Sequence, residues 1–153
     1  MKRLSAPVLL LSLLAALLAG CSNDSQIIAT GLKGELTGIV CASDGTVTAG
    51  WRVTNSNVVA YIFSRVRSKV YVNGTYVGMI VDENPLGIPA SAVIDRPGKI
   101  TGSDAAAGRA IAEAQAHGSA SYRVDTQITI RLYGDATEES KLTSSGTVPV
   151  LTK

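Results

Sequence analysis

The stretch RVRSKVYVNGTYVG, residues 65–78, decides how the rest of the chain is read. Arg65, Arg67 and Lys69 alternate with Val66, Ser68 and Val70, a period of two that places cations on one face of a strand and small or apolar residues on the other. Asn73-Gly74 follows, the strongest short hairpin signal, because both residues tolerate positive φ. TYVGMIVDE (75–83) is then the return strand. The three cations admit two readings. They form the wet side of a strand, where like charges also discourage edge-to-edge pairing, or they form a binding stripe for acidic clients or anionic headgroups.

The same alternation extends in both directions. Upstream, VVAYIFSRVRSKVYV (58–72) is long enough that a bend or bulge is expected, and NSN (55–57) is a turn. TVTAGWRVTN (46–55) puts Val47, Ala49, Trp51 and Val53 on one face, which makes the single tryptophan a core anchor. GELTGIVCAS (34–43) is a first strand, ended by Ser43-Asp44-Gly45. Downstream, NPLGIPASAVI (84–94) holds two prolines and is expected at an edge or as an irregular strand, and DRPGKITGS (95–103) as loop. DAAAGRAIAEAQAHG (104–118) is the one helix, capped by Ser103 or Asp104, ended by Gly118, and small enough in its alanines to lie close on a sheet or over its end. In SYRVDTQITIRLYG (121–134), Tyr122, Val124, Thr126, Ile128, Ile130 and Leu132 face inward. Arg123, Asp125, Gln127, Thr129, Arg131 and Tyr133 face outward. DATEESK (135–141) is expected as a polar loop, and LTSSGTVPVLT (142–152) as a last strand near an edge because of Pro149. About seven strands and one short helix predict an antiparallel β-sandwich over residues 33–153.

The N-terminus is of another kind. Lys2 and Arg3, an uncharged apolar run from Pro7 to Gly20 and small residues at its end make residues 1–20 a secretory signal, too short to be a spanning helix. LAGC (18–21) resembles the bacterial lipobox, which implies cleavage before Cys21 and lipidation of its thiol and amine. Ser22 rather than aspartate then points to an outer-membrane lipoprotein with its domain in the periplasm, and residues 21–32 to a lipidated N-terminus and tether. The alternative is a soluble secreted protein cleaved nearby. Cys41 is read as a small buried strand residue, or as the partner of an intermolecular disulfide. Pairing of Cys21 with Cys41 is open if Cys21 carries no lipid.

Charge and chemistry narrow the function. Of 14 Lys and Arg, Lys2 and Arg3 lie in the signal, which leaves 12 cations against 12 Asp and Glu. No global field argues for nucleic acid. One histidine and one further thiol make no zinc site, and no cofactor is expected. His117 belongs to the last helical turn, and the adjacent Glu138-Glu139 to a solvated loop rather than to a pair of opposed catalytic carboxylates. An enzyme is not expected.

The order of short motifs adds a resemblance. VTN-x-N (53–57), VYVNGTYVG (70–78), IPA (88–90), YRVDTQITI (122–130) and SSGTVPV (144–150) follow one another as in the type 2 late embryogenesis abundant domain, also called the water stress and hypersensitive response (WHy) domain. The chain resembles that family over about Lys33 to Leu151, departing from it at NSN, where the usual proline is missing. The resemblance implies a fibronectin type III-like sandwich with a short helix. It also implies a non-enzymatic role, protecting other proteins during desiccation or cold, among members that include bacterial lipoproteins. It carries over no catalytic residue. The expected function is therefore a membrane-anchored envelope lipoprotein with a protein-interaction domain. The alternative is a structural or assembly subunit of an envelope or secretion machine.

Overall fold

A computed structural model describes residues 30–132 and 134–153; the signal, Cys21, most of the tether and Tyr133 lie outside the described residues. The elements run β1 (Leu32–Cys41), β2 (Val47–Asn55), β3 (Tyr61–Val72), β4 (Thr75–Asp82), β5 (Leu86–Ile88), β6 (Ala92–Lys99), α1 (Ala105–His117), β7 (Ser119–Arg131) and β8 (Thr137–Thr152). The strands form one path, β4-β3-β7-β8-β1-β2-β6, with β5 beside β3. The path curls into a half-barrel, a β-sandwich-like fold with one short helix.

Each half is held by long antiparallel ladders, β3 with β4 and β7, β7 with β8, and β2 with β1 and β6. The halves meet where β8 turns from β7 to β1. Residues Val150–Thr152 pair with Ile39–Cys41 in parallel, the one parallel ladder among the described residues. On the other side, Met79 and Thr101 exchange backbone hydrogen bonds of 2.8 and 2.9 Å, tying β4 to the chain just after β6.

The expected alternation is visible in β3 and β7. Arg65, Arg67 and Lys69 are exposed while Val66, Ser68 and Val70 are buried. Tyr122, Val124, Thr126, Ile128 and Ile130 are buried. The inward polar residues are satisfied by each other, since the Ser68 and Thr126 hydroxyls lie 2.8 Å apart. The expected irregularity of β3 is a register shift between Phe63 and Arg65, where Ser64 is the extra residue and its hydroxyl donates to the Thr129 carbonyl. Trp51 is buried with Ala49 and Val53.

Several expectations change. The first strand begins at Leu32, two residues before Gly34, and the Leu32 side chain is buried. Leu132 does not face inward. It lies beyond the end of β7 and is 38% exposed. The segment 84–99 is two strands with a crossover between them. β5 pairs with β3, Pro89 to Ser91 cross to the other half, and β6 runs through Asp95-Arg96-Pro97 against β2. β6 ends the path, which is where a proline inside a strand is tolerated. Glu138 and Glu139 are not in a loop but are the second and third residues of β8, opposite Ile130 and Thr129. β8 is not an outer strand of the path, and Pro149 marks the point where it exchanges β7 for β1.

The helix is as expected. Asp104 accepts from the Ala107 amide at 2.8 Å, and Gly118 ends the helix in the left-handed region. Ala107, Ala110, Ile111 and Ala114 are buried at i, i+3, i+4 and i+7, chiefly against β4. Replacing Asp104 by alanine removes the cap acceptor and is expected to cost about 1 kcal/mol, readable as a lower urea midpoint with an unchanged slope.

Candidate functional site

Strand pairing turns the cationic row of β3 into a face. Outward residues repeat about 6.8 Å apart along a strand, and neighbouring strands lie about 4.8 Å apart. In register, Arg67 stands beside Gln127 of β7, which stands beside Lys141 of β8. One step along, Lys69 stands beside Asp125, and Asp125 beside Thr143. The next step brings Tyr71, Arg123 and Ser145 together. Arg67, Lys69, Tyr71, Asp125, Gln127 and Lys141 are among the residues around an open groove of about 500 Å³.

The carboxylates of this face are already engaged. Glu83 lies 3.4 Å from Arg65 and 4.0 Å from Arg67. Asp125 accepts from the Thr143 hydroxyl at 3.1 Å and pairs with Arg123 at 3.4 Å. Glu139 accepts from the Gln127 amide at 2.7 Å. The Arg123 guanidinium carbon also lies 4.1 Å from the centre of the Tyr71 ring, and Tyr76 meets Tyr71 edge-on at 5.6 Å. Lys69 and Lys141 have no carboxylate within ion-pair distance among the described residues. The face thus presents Arg67 with half a partner and two lysines with none.

The opposite half of the sandwich carries both paired and unpaired cations. Arg52 binds Asp95 through two hydrogen bonds of 2.7 and 2.9 Å. The guanidinium holds the Asp95 carboxyl below the usual carboxylate range. Lys33 pairs with Glu35. These two cations are neutralised locally, whereas the exposed Arg96 and Lys99 of β6 have no carboxylate within ion-pair distance among the described residues and are not joined to a groove with further cations.

The remaining candidates fall into structural places. Cys41 is buried beneath α1, and burial pushes its thiol pKa up, which disfavours the thiolate that a nucleophile or a disulfide exchange would need. The Nδ1 atom of His117 lies 2.8 Å from the Glu113 carbonyl, within its own helix. No group of three or more His, Cys, Asp or Glu could hold a metal among the described residues. No helix among them is long and apolar enough to cross a membrane. The structure brings Arg65, Arg67 and Lys69 onto one face as the sequence implied. It adds Arg123 and Lys141, which the sequence did not connect to them. Lys141 belongs to the segment expected as a loop, and the pairing of β3 with β7 joins residues fifty or more apart without a local signal.

No family model matches the chain, and no curated protein matches its sequence. Solved structures do. A protein from Archaeoglobus fulgidus is 16% identical over 77% of this chain and 94% of its own, with a TM-score of 0.45. A structure provisionally assigned to the late embryogenesis abundant (LEA) proteins is 10% identical over 97% of this chain and 94% of its own, with a TM-score of 0.35. The Arabidopsis thaliana protein AT1g01470 is 14% identical over 79% of this chain and 80% of its own, and its TM-score of 0.52 shows a shared fold.

Proposed function

We propose that the chain is a non-enzymatic envelope lipoprotein, anchored in the outer membrane through lipid on Cys21, whose β-sandwich holds acidic segments of other proteins across the cationic sheet face. One observation carries the binding role. Lys69 and Lys141 flank the groove without an ion-pair partner, while the carboxylates of that face, Asp125 in the groove among them, are bonded to Arg65, Arg67, Arg123, Thr143 or Gln127. An extended acidic segment suits this surface, because its alternate side chains repeat at the strand spacing of Arg65, Arg67 and Lys69. Binding of this kind is broad rather than sequence-specific and weakens with salt over a Debye length of about 10 Å at 0.1 M. Breadth suits a protector of many clients during drying or cold, the role the family resemblance implies. The anchor rests on LAGC placed directly after the apolar run.

The test uses the full chain and a variant with Arg67→Glu, Lys69→Glu and Lys141→Glu. The three positions are exposed, so stability should change by about 0.5 kcal/mol or less per site. The native chain is expected to slow aggregation of an acidic test enzyme on freezing and drying, and the variant to lose most of that effect. Protection no better than an inert protein of equal mass would remove the protective role. Protection by the variant equal to that of the native chain would remove the face. Cross-linking in cells that traps one dominant partner instead of many would favour the assembly-subunit reading.

A further inference from the structure

We propose that the end of the sandwich from which the chain leaves β1 is a membrane-seating surface, with the Val58-Val59 loop resting in the headgroup boundary of the bilayer. The proposal rests on the reading of Cys21 as lipidated. The ladders fix which loops share that end. Leu32 is opposite Asn55, Asn55 opposite Ala92, and Tyr61 opposite Ile88, so the start of β1, the β2–β3 loop and the β5–β6 crossover lie together, with Arg131 at the end of β7 and Asp135 of the β7–β8 loop beside them next to Ile62. The Ser56 amide donates to the Gly31 carbonyl at 2.7 Å, which ties the chain's exit directly to the base of the loop.

The loop shows apolar side chains to water. Val58 is 90% and Val59 50% exposed, and Ala60, Pro89, Ala90 and Val93 around them are exposed too. No charged residue occurs from Asn55 to Ser64 or from Asn84 to Ile94. The exposure is not a consequence of slackness. Asn55, itself buried, donates to the carbonyls of Val59 and Pro89 at 2.8 and 2.9 Å and accepts from the Asn57 amide at 3.0 Å. The Ser91 amide donates to the Asn57 carbonyl at 3.0 Å. A loop clamped in this way holds its valines outward. Contiguous exposed apolar residues in a rigid, uncharged patch mark an interaction surface.

The position selects the occupant. Nine residues separate Cys21 from Gly31, ten Cα steps, so even a fully extended connection spans at most about 35 Å. A lipidated Cys21 therefore keeps this end close to the bilayer at high effective concentration, where a small apolar tip suffices for docking. The cationic face of β3, β7 and β8 runs along the side of the domain and stays open to clients in this orientation.

The experiment uses the full chain carrying Val58→Cys, labelled with an environment-sensitive fluorophore and reconstituted in phosphatidylethanolamine–phosphatidylglycerol vesicles. Acylated Cys21 has no free thiol and Cys41 is buried. Ser43→Cys, in the exposed loop at the opposite end, is the control. The label at position 58 is expected to shift to the blue and to be quenched by spin-labelled lipid roughly severalfold more than the label at position 43. Equal quenching at both positions, in a chain that floats with the vesicles, overturns the seating and leaves the anchor intact. A blue shift without lipid quenching overturns it in favour of contact between copies of the chain. A chain that neither floats nor incorporates palmitate overturns the anchor, and the seating with it.

Discussion

Replacing Gly78 by alanine is expected to destabilise the domain by about 3–5 kcal/mol, the sum of a backbone penalty and an overpacking penalty. Gly78 has φ +135°, a region that side-chain-bearing residues rarely enter. A Cβ there would stand 2.5 Å from the Thr101 carbonyl oxygen and 2.7 Å from Ile100 Cγ2. The first of these is backbone and cannot rotate away. It belongs to the Met79–Thr101 pairing that ties β4 to the other half of the sandwich, so relief by movement would break that tie. Gly78 also follows the register shift at which Val77 is the extra residue of β4. Gly74, four residues earlier in the same motif, is the comparison. Its φ is +80° but nothing lies near its missing Cβ, so Gly74→Ala should cost only about 1 kcal/mol. Thermal unfolding checks both, at about 4 °C per kcal/mol for a domain of this size. Equal midpoints for the two variants would contradict the close approach of β4 to Thr101.

Removing the Asn55 side chain should have the next largest effect. Its amide and carbonyl make three hydrogen bonds that join the β2–β3 loop to Pro89 in the β5–β6 crossover. Asn55→Ala leaves the Val59 and Pro89 carbonyls and the Asn57 amide without that partner, at a cost of about 2–4 kcal/mol. Asn55→Asp keeps an acceptor for Asn57 but turns a carboxylate oxygen toward two carbonyls, so it should be no better than alanine despite its shape. Hydrogen exchange at the Asn57 and Ser91 amides should accelerate together, because both belong to the same clamp. Accelerated exchange elsewhere with these amides still protected would show that Asn55 acts through some other contact.

These two residues also show what was legible in the sequence. Asn55 and the IPA segment appear in the string as separate short motifs, and the structure joins them physically through the Asn55–Pro89 bond. The Asn73-Gly74 hairpin, the alternation of β3 and β7 and the capped helix were readable because each is encoded within a few residues. The start of β6 was readable as an edge or irregular strand, but its second half reads as loop because Asp95-Arg96-Pro97-Gly98 has poor strand propensity. Its place is set by β2, and at Gly98 by the Ile80 side chain, which occupies the space a Cβ would need. Glu138 and Glu139 resembled a loop for the same reason, although the β7 ladder carries them as strand. For the candidate face, the row on β3 was readable and its completion was not. Lys141 comes beside Arg67 only through two successive pairings, β3 to β7 and β7 to β8. No local pattern specifies those registers.

The most direct test of the cationic face is to map where an acidic chain touches it. A glutamate-rich peptide would be titrated into the isotopically labelled full chain in micelles while backbone amide shifts are followed. Shifts are expected at Arg67, Lys69, Gln127 and Lys141, fading as salt is raised. Shifts confined to β6, β2 and β1, or none at low salt, would contradict the assignment of the β3–β7–β8 face as the binding surface.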